Sequence, residues 1–397
     1  MPRARTTTRA RANGRRSEGR GALMPARRFD PAVCPRLVVK IGSALLVDPE
    51  GQVRRDWLAG VVADIAERQG RGQRIAVVSS GAIALGARRL GLPRGGRASL
   101  EDAQAAAATG QIALSHVWAE LLGREGLTAA QMLVTLDDLE DRRRYLNASA
   151  TLDRLLTLGV VPVINENDSV ATAEIRFGDN DRLAARIGQA ASAGGVLLLS
   201  DVDGLYTANP GRDPDAVLVP EVTRIDARIL AMADGGSASG MGSGGMLSKI
   251  EAARIACSAG AHLAILSGHV DRPLTAYAAS GRGTVFIAAK AAGARKAWLA
   301  GRLTARGRVH VDAGAVRALG EGRSLLPAGA TAIEGRFARG DVVDIIGPDG
   351  MLVARGLAEY DAADAGRITG LRSDALAALL GYAPRAAMVH RNHLVLL

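Results

Sequence analysis

The sequence predicts an α/β protein, a doubly wound and mainly parallel sheet followed by a small β-rich domain. Three observations predict it. Short β-branched apolar runs alternate with amphipathic segments over residues 36–290, the order that builds parallel sheets. Polar clusters recur at the C-terminal ends of those runs, where open α/β sheets hold their ligands. Beyond residue 300 the chain turns to short strands separated by Gly and Asp-Gly turns, the texture of a separate β-rich unit. A length of 397 residues accommodates two or three domains.

The elements follow in order. "RLVVKIGSALL" from Arg36 is a buried strand that turns at Gly42, and Asp56 to Gln69 is helical. "RIAVVSSGAIALGARRL" is a second strand that turns at Ser79, Ser80 and Gly81 into a helix. The Ala-rich "LEDAQAAAATGQIALSHVWAELL" reads as helix interrupted around Gly110, since glycine weakens a helix interior. "AQMLVTLDD" is strand and turn, "RRRYLNASATLDRLLTLG" amphipathic helix, and "VVPVI" a strand that runs into Asn165, Glu166, Asn167 and Asp168. A helix follows Asp181, then the apolar strand "GGVLLLSDVDGLY", the helix "GMLSKIEAARIACSAG" and the strands "AHLAILSG" and "GTVFIAA". "AAGARKAWLAG" is a junction to the segments "GRVHVDAGAV", "GDVVDIIGPDG", "MLVARGLAEY" and "AAMVHRNHLVLL". The predicted boundaries are 1–33 for a tail, 34–292 for the α/β domain and 299–397 for the β-rich domain.

Composition narrows the classes. Hydrophobic content of 48% with 3% aromatics predicts a core of Ala, Val, Leu and Ile. No run of 18 apolar residues occurs, so no membrane span is expected. Two cysteines, Cys34 and Cys257, provide no disulfide framework and fit a reducing cytoplasm. The net charge of +10 would suit nucleic acid, but residues 1–28 hold nine Arg against one Glu and so carry +8 of it. That leaves +2 for everything else. The Arg-rich stretch has almost no apolar content, which reads as a disordered, dispensable arm; it lacks the apolar core of a signal peptide. An organelle transit peptide or a start at Met24 shares the same composition.

The chemistry lies at the strand ends. Asn165 to Asp168 and then Asp179, Asn180 and Asp181 place carboxylates and amides together, which suits an ammonium, a hydroxyl or a metal-bound phosphate; Asn and Asp also favour turns and helix starts. Gly- or Ser-rich turns follow strands at Lys40–Ser43, Ser79–Gly81 and Ser200–Gly204, and "SASGMGSGGMLSK" opens a helix. Clustered backbone N–H groups at a helix start donate to phosphate oxygens, and Lys249 adds a full charge there. No G-x-x-x-x-G-K-[ST] sequence occurs, so a P-loop is excluded. A lysine that follows "LVV", as Lys40 does, is costly unless it faces a cleft or a partner. Two lysines with acidic clusters supply the charge compensation and positioning that phosphoryl transfer needs.

The ordered set "VVKIGS", "VVSSGAIALG", "VPVINENDSV", "FGDNDRLAA", "LLLSDVDGLYTANP" and "GMGSGGMLSKIEAA" resembles the glutamate 5-kinases of the amino-acid kinase family, and "GRLTARGRVHVDAGAV" onward is similar to a PUA domain. The resemblance covers nearly everything but the tail, and "INEND" with "GDND" is its most specific part. It implies ATP-dependent phosphorylation of the γ-carboxylate of L-glutamate to glutamyl 5-phosphate, the first step of proline synthesis, with feedback by proline and a homo-oligomer, dimer or tetramer. It implies that Lys40 and Lys249 neutralise the phosphoryl group in flight, that Asp181 orients both, and that Ser80, Asp168 and Asn180 bind glutamate. ATP contacts carry over to Lys40, Ser200, Asp201, Ser243, Gly244, Gly245, Met246, Leu247, Ser248 and Lys249. Mg2+ is implied as a bridge between phosphates rather than in a dedicated protein cage. Ala44 departs from the Ser or Thr common in relatives, and Asn209 from a frequent Asp. The alternatives are an acetylglutamate or aspartate kinase, which should lack the "NEND…GDND" pairing, and an RNA-binding PUA protein, for which Trp298 and Phe337 offer few stacking surfaces.

Overall fold

The computed structural model describes residues 25–170, 179–233, 245–288, 305–372, 375–382, 384–385 and 387–397. The α/β part is an eight-stranded sheet of β1 (Arg36–Ile41), β2 (Arg74–Ser79), β3 (Ala129–Val134), β4 (Val161–Glu166), β5 (Gly195–Ser200), β6 (Glu221–Val222), β7 (His262–Ser267) and β8 (Thr284–Phe286), in the order β3-β4-β2-β1-β5-β7-β8-β6. Every neighbouring pair is parallel except β7 with β8, which is antiparallel. The central strands are apolar through most of their length because helices cover both faces of the sheet, with polar residues near their ends.

Strand parity sorts the chemistry onto one face. In β1, Leu37, Val39 and Ile41 enter the core beneath the helices α1 (Ser43–Leu46), α2 (Arg55–Gly70), α3 (Ala82–Leu90) and α4 (Leu100–Arg124). Val38 enters the opposite core, against α5 (Leu136–Glu140), α6 (Arg142–Thr157), α7 (Asp179–Ala190), α8 (Ala227–Ala233) and α9 (Met246–Ser258). Lys40 shares the parity of Val38, so its side chain leaves the sheet on the side that α7 and α9 cover. It is the fifth of six strand residues and lies beside Val78 of β2 and Leu198 of β5, within the strand rather than at its tip.

The break expected around Gly110 does not occur: α4 runs continuously from Leu100 to Arg124. Gly110 and Gly86 are instead where two helices touch. A Cβ on Gly86 would sit 1.7 Å from the carbonyl oxygen of Ala106, and one on Gly110 would sit 1.8 Å from that of Ala82. The helix keeps its glycine because α3 lies backbone against backbone on it. Residues 25–33, assigned by composition to the tail, are folded as well. Pro25–Phe29 forms a 3-10 turn, and Phe29 is completely buried, its ring 6.1 Å from that of Tyr277 in α10 (Pro273–Ser280). Arg68 Nη1 and Gln73 Nε2 also donate to the carbonyl oxygen of Phe29, at 3.1 and 3.0 Å, so packing and hydrogen bonds together pin that stretch.

The second sheet contains β9 (Gly307–Val311), β10 (Ala330–Gly335), β11 (Val342–Ile346), β12 (Leu352–Ala358) and β13 (Val389–Leu396), ordered β10-β9-β11-β12-β13. β9 and β11 are parallel and the other pairs antiparallel. Its core has Val309, Ile345 and Val389, with Phe337 packed against Gly307. Phe337 is therefore buried and offers no stacking face; Trp298 and the expected junction lie outside the described residues. Val342, Leu357 and Val395 close onto the α/β core, and Arg339 Nη1 donates to Asn147 Oδ1 of α6 at 2.7 Å. Among the described residues no helix is long and apolar enough to cross a membrane.

Candidate active site

The helices α7 and α9 place their charges by the same device. On α7, Asp181, Ala184 and Ala185 follow one another at i, i+3 and i+4; on α9, Lys249, Ala252 and Ala253 do the same, and all six are buried. The small residues let each helix lie close to the sheet. The charged residue, one turn earlier, is thereby driven under the C-terminal edge of the strands. Asp181 Oδ1 lies 2.6 Å from Lys40 Nζ, and Oδ2 lies 3.2 Å from Lys249 Nζ. The carboxylate is fully buried, while the lysine side chains are 10% and 6% exposed.

Burial alone would raise the pKa of Asp181, but attraction to Lys40 and Lys249 outweighs it and holds the carboxyl below its ordinary value. An isolated carboxylate could not remain ionised there, nor could two ammonium groups converge without it. The first turn of α7 adds the favourable end of a helix dipole. The three residues are one unit with a net charge of +1, suited to a more strongly negative group.

A second cluster sits on the other side of Asp181. Gly81, with φ at +103°, turns β2 sharply into α3; a Cβ there would come within 3.0 Å of Val47 Cγ2. The turn presents Ser80, whose Oγ accepts from Asn180 Nδ2 at 2.7 Å. Asn180 Nδ2 also donates to Asn165 Oδ1 at 3.3 Å, and Asn165 Nδ2 donates to Gln111 Oε1 of α4 at 2.8 Å. Asp168 lies just past β4, close enough to Arg97 to counter the lowering that burial imposes on that guanidinium.

On the far side of Lys249 is a cavity of about 970 Å³, walled by the loop from Asp201 to Gly211, by Gly245 to Leu247 and by α10. Ser200, buried at the end of β5, donates to Asp201 Oδ1 at 2.9 Å. Gly245 caps α9, Met246 lines the cavity, Leu247 is exposed, and Ser248 is half-buried beside Lys249. The cavity reaches the charged triad at Lys249, and the amide cluster adjoins it through Asn180, the neighbour of Asp181 on α7.

The structure brings together Lys40, Asp181 and Lys249, joins Ser80 to Asn180, and lines the cavity with Asp201, Gly245, Met246, Leu247 and Lys249, while Ser200 and Ser248 stand beside it in sequence without lining it. Ser243, Gly244 and the side chain of Asp179 lie outside the described residues. Gln111 and Arg97 belong to this neighbourhood and were not expected there, whereas Asn165 is part of the expected polar run without a role of its own. Gln111 had a legible signal, a polar residue in the buried stripe Ala107, Gln111 and Leu114 of α4. Arg97, on a loop between helices, had none. Among the described residues no three His, Cys, Asp or Glu side chains converge.

A large cavity beside two lysines bridged by one carboxylate, with a cluster of amides next along the same helix, is an arrangement suited to a phosphotransferase. The statistical description of the amino acid kinase family matches residues 35–267, and that of the PUA domain matches residues 307–380. The chain therefore belongs to the amino acid kinase family. It is 73% identical over 369 residues to the glutamate 5-kinase of Sphingopyxis alaskensis, which covers 93% of this chain and 99% of that protein. It is 66% identical over 369 residues to that of Zymomonas mobilis, covering 93% of each, and 60% identical over 366 residues to that of Novosphingobium aromaticivorans, covering 92% and 97%. Within the family it groups with the glutamate 5-kinases.

Proposed function

We propose that the protein transfers the γ-phosphoryl group of ATP to the γ-carboxylate of L-glutamate, giving glutamyl 5-phosphate and ADP, as the first step of proline synthesis in the cytoplasm. The observation that carries this reading is the Asp181 bridge, which ties Lys40 to Lys249 at the edge of the cavity, one residue along α7 from Asn180 of the Ser80–Asn180 pair.

The nucleophile is already ionised at neutral pH, with a carboxylate pKa of about 4.3, so no general base is needed. A carboxylate oxygen forms the new bond to the γ-phosphorus as the bond to the β,γ-bridging oxygen breaks, and ADP leaves with that electron pair. Lys40 and Lys249 face the charge on the transferring oxygens, and Asp181 fixes them before substrate arrives. Preorganised charges of this kind typically contribute about 10²–10³ in turnover. Asp168 pairs with the substrate's ammonium, Ser80 and Asn180 hydrogen-bond it, and Ser200, Asp201 and residues 243–249 hold the nucleotide.

Both oxygens of Asp181 are committed to lysines, so its carboxylate fits an orienting role better than a metal-binding one. The donor set suits a Mg2+ carried on the ATP phosphates, where it would neutralise part of their charge. Residues 34–292 form the kinase unit and 299–397 the PUA-like unit in this reading, with proline as inhibitor and a homo-oligomer as the working form.

The test traps the acyl phosphate with hydroxylamine. γ-Glutamyl hydroxamate from glutamate, ATP and Mg2+, suppressed by proline, with no product from aspartate or N-acetylglutamate, is the expected result. Product from another acid and none from glutamate would overturn the substrate. Product from none, with a salt-sensitive RNA shift that survives removal of residues 1–28, would favour the RNA-binding alternative.

A further inference from the structure

We infer that Gln111 is a positioning residue for glutamate, acting at the end of an amide relay that determines which face of Asn180 the substrate meets. The relay starts from a group that cannot turn round. The backbone N–H of Glu166 donates to Asn165 Oδ1 at 2.9 Å. A backbone N–H is a donor only, so it fixes that atom of Asn165 as the oxygen. Nδ2 of Asn165 must then face away, toward Gln111, and the atom it meets at 2.8 Å must be the acceptor Oε1. Gln111 Nε2 is left to donate to Ser115 Oγ at 3.2 Å.

The sense of the relay passes to the substrate cluster. Asn165 Oδ1 also faces Asn180 at 3.3 Å and can only accept, so Asn180 turns its Nδ2 there and to Ser80. Both amide hydrogens of Asn180 are spent on the protein. Its Oδ1 is buried and meets no donor among the described residues. A buried amide oxygen without a donor is costly, and a ligand that supplies one is favoured by that amount. The matching donor is the ammonium group of the amino-acid substrate proposed above, on which this inference rests. Gln111 and Asn165 are themselves 8% and 2% exposed, so water cannot replace either amide cheaply.

Gln111 approaches neither Lys40 nor Lys249 among the contacts of the described residues. Its loss should therefore weaken glutamate and spare the chemistry. The experiment measures steady-state kinetics and thermal midpoints for the wild type, Gln111→Leu and Gln111→Glu. Leu keeps the volume and removes the acceptor. Glu retains an acceptor for Asn165 Nδ2, and the Ser115 hydroxyl can rotate to donate to it.

The expected result for Gln111→Leu is a glutamate KM raised about tenfold, with kcat and the KM for ATP within about twofold, as for loss of a buried hydrogen bond that supports ground-state binding. Gln111→Glu should restore most of the glutamate affinity. Glutarate, which lacks the amino group, should be a competitor whose inhibition constant Gln111→Leu hardly alters. An unchanged glutamate KM in Gln111→Leu overturns the inference. So does a parallel loss for ATP, glutamate and thermal midpoint, or a glutarate constant that moves with the glutamate KM. The wild type separates the two levels: if it makes no hydroxamate from glutamate, the substrate reading fails and this inference falls with it. If it does and Gln111→Leu binds normally, the relay alone is wrong.

Discussion

Replacing Asp181 with Asn keeps the shape of the side chain and removes the charge between two buried lysines. Lys40 Nζ at 2.6 Å and Lys249 Nζ at 3.2 Å correspond to attractions of about 6 and about 5 kcal/mol at an effective dielectric constant of about 20. Desolvation offsets much of this, and the net cost of breaking a buried pair by removing one partner is about 3–5 kcal/mol. For a domain of this size that corresponds to a fall in thermal midpoint on the order of 10 °C. The kinetic effect should be larger in kcat than in either KM, with kcat down by about 10²–10³, because both lysines lose the group that aims them. Hydroxamate formation gives the kinetics, and calorimetry with and without ATP gives the midpoint. The pKa of Asp181 is depressed in the folded protein, so its contribution to stability is complete above the ordinary value of 3.8 and lost as pH falls through the lower folded value. Wild type should therefore show an acid-induced loss below about pH 4 that Asp181→Asn lacks. An Asn variant with wild-type kcat and midpoint would refute the assignment of Asp181 as the orienting carboxylate.

Lys249→Ala and Lys40→Ala should each reduce turnover by about 10²-fold or more in the same assay, and normal turnover in either would remove it from the proposed mechanism. Gly110→Ala should destabilise by about 1–3 kcal/mol in urea, because its Cβ would overlap the Ala82 carbonyl. Gly123→Ala, in the same helix with nothing within 4 Å of the added carbon, should be neutral or stabilising by about 0.5–1 kcal/mol, and equal effects at the two positions would contradict the close helix contact. Burial pushes the thiols of Cys34 and Cys257 up to about 12, so both should resist alkylation in the native protein at pH 8 and react only on unfolding; rapid labelling of two thiols would contradict their environment.

The amide cluster around Asn180 was only partly legible. Ser80, Asp168 and Asn180 stand at strand and helix ends, where polar residues interrupt apolar runs, and could be found in one dimension. Asn165 lies in the same polar run, yet its link to Gln111 spans 54 residues along the chain. Nothing in local sequence relates an amide in β4 to one in the middle of α4. The reading of Gly110 as a break failed for the same reason, because its cause is the backbone of α3 and not a property of α4.

By itself the sequence determined the alternation of strands and helices, the separate β-rich end and the identity of the charged residues. All of these are recorded in local period and composition, which act over a few residues. Only the tertiary structure decided that Lys40, by its parity in β1, shares a face with Asp181 and Lys249. The resemblance implied that Asp181 orients both lysines; the tertiary structure decided how, with one oxygen on each, and that an amide relay gives Asn180 its orientation. These are long-range facts of packing, because a side chain's electrostatic partners depend on which surfaces are driven together when the apolar faces are buried.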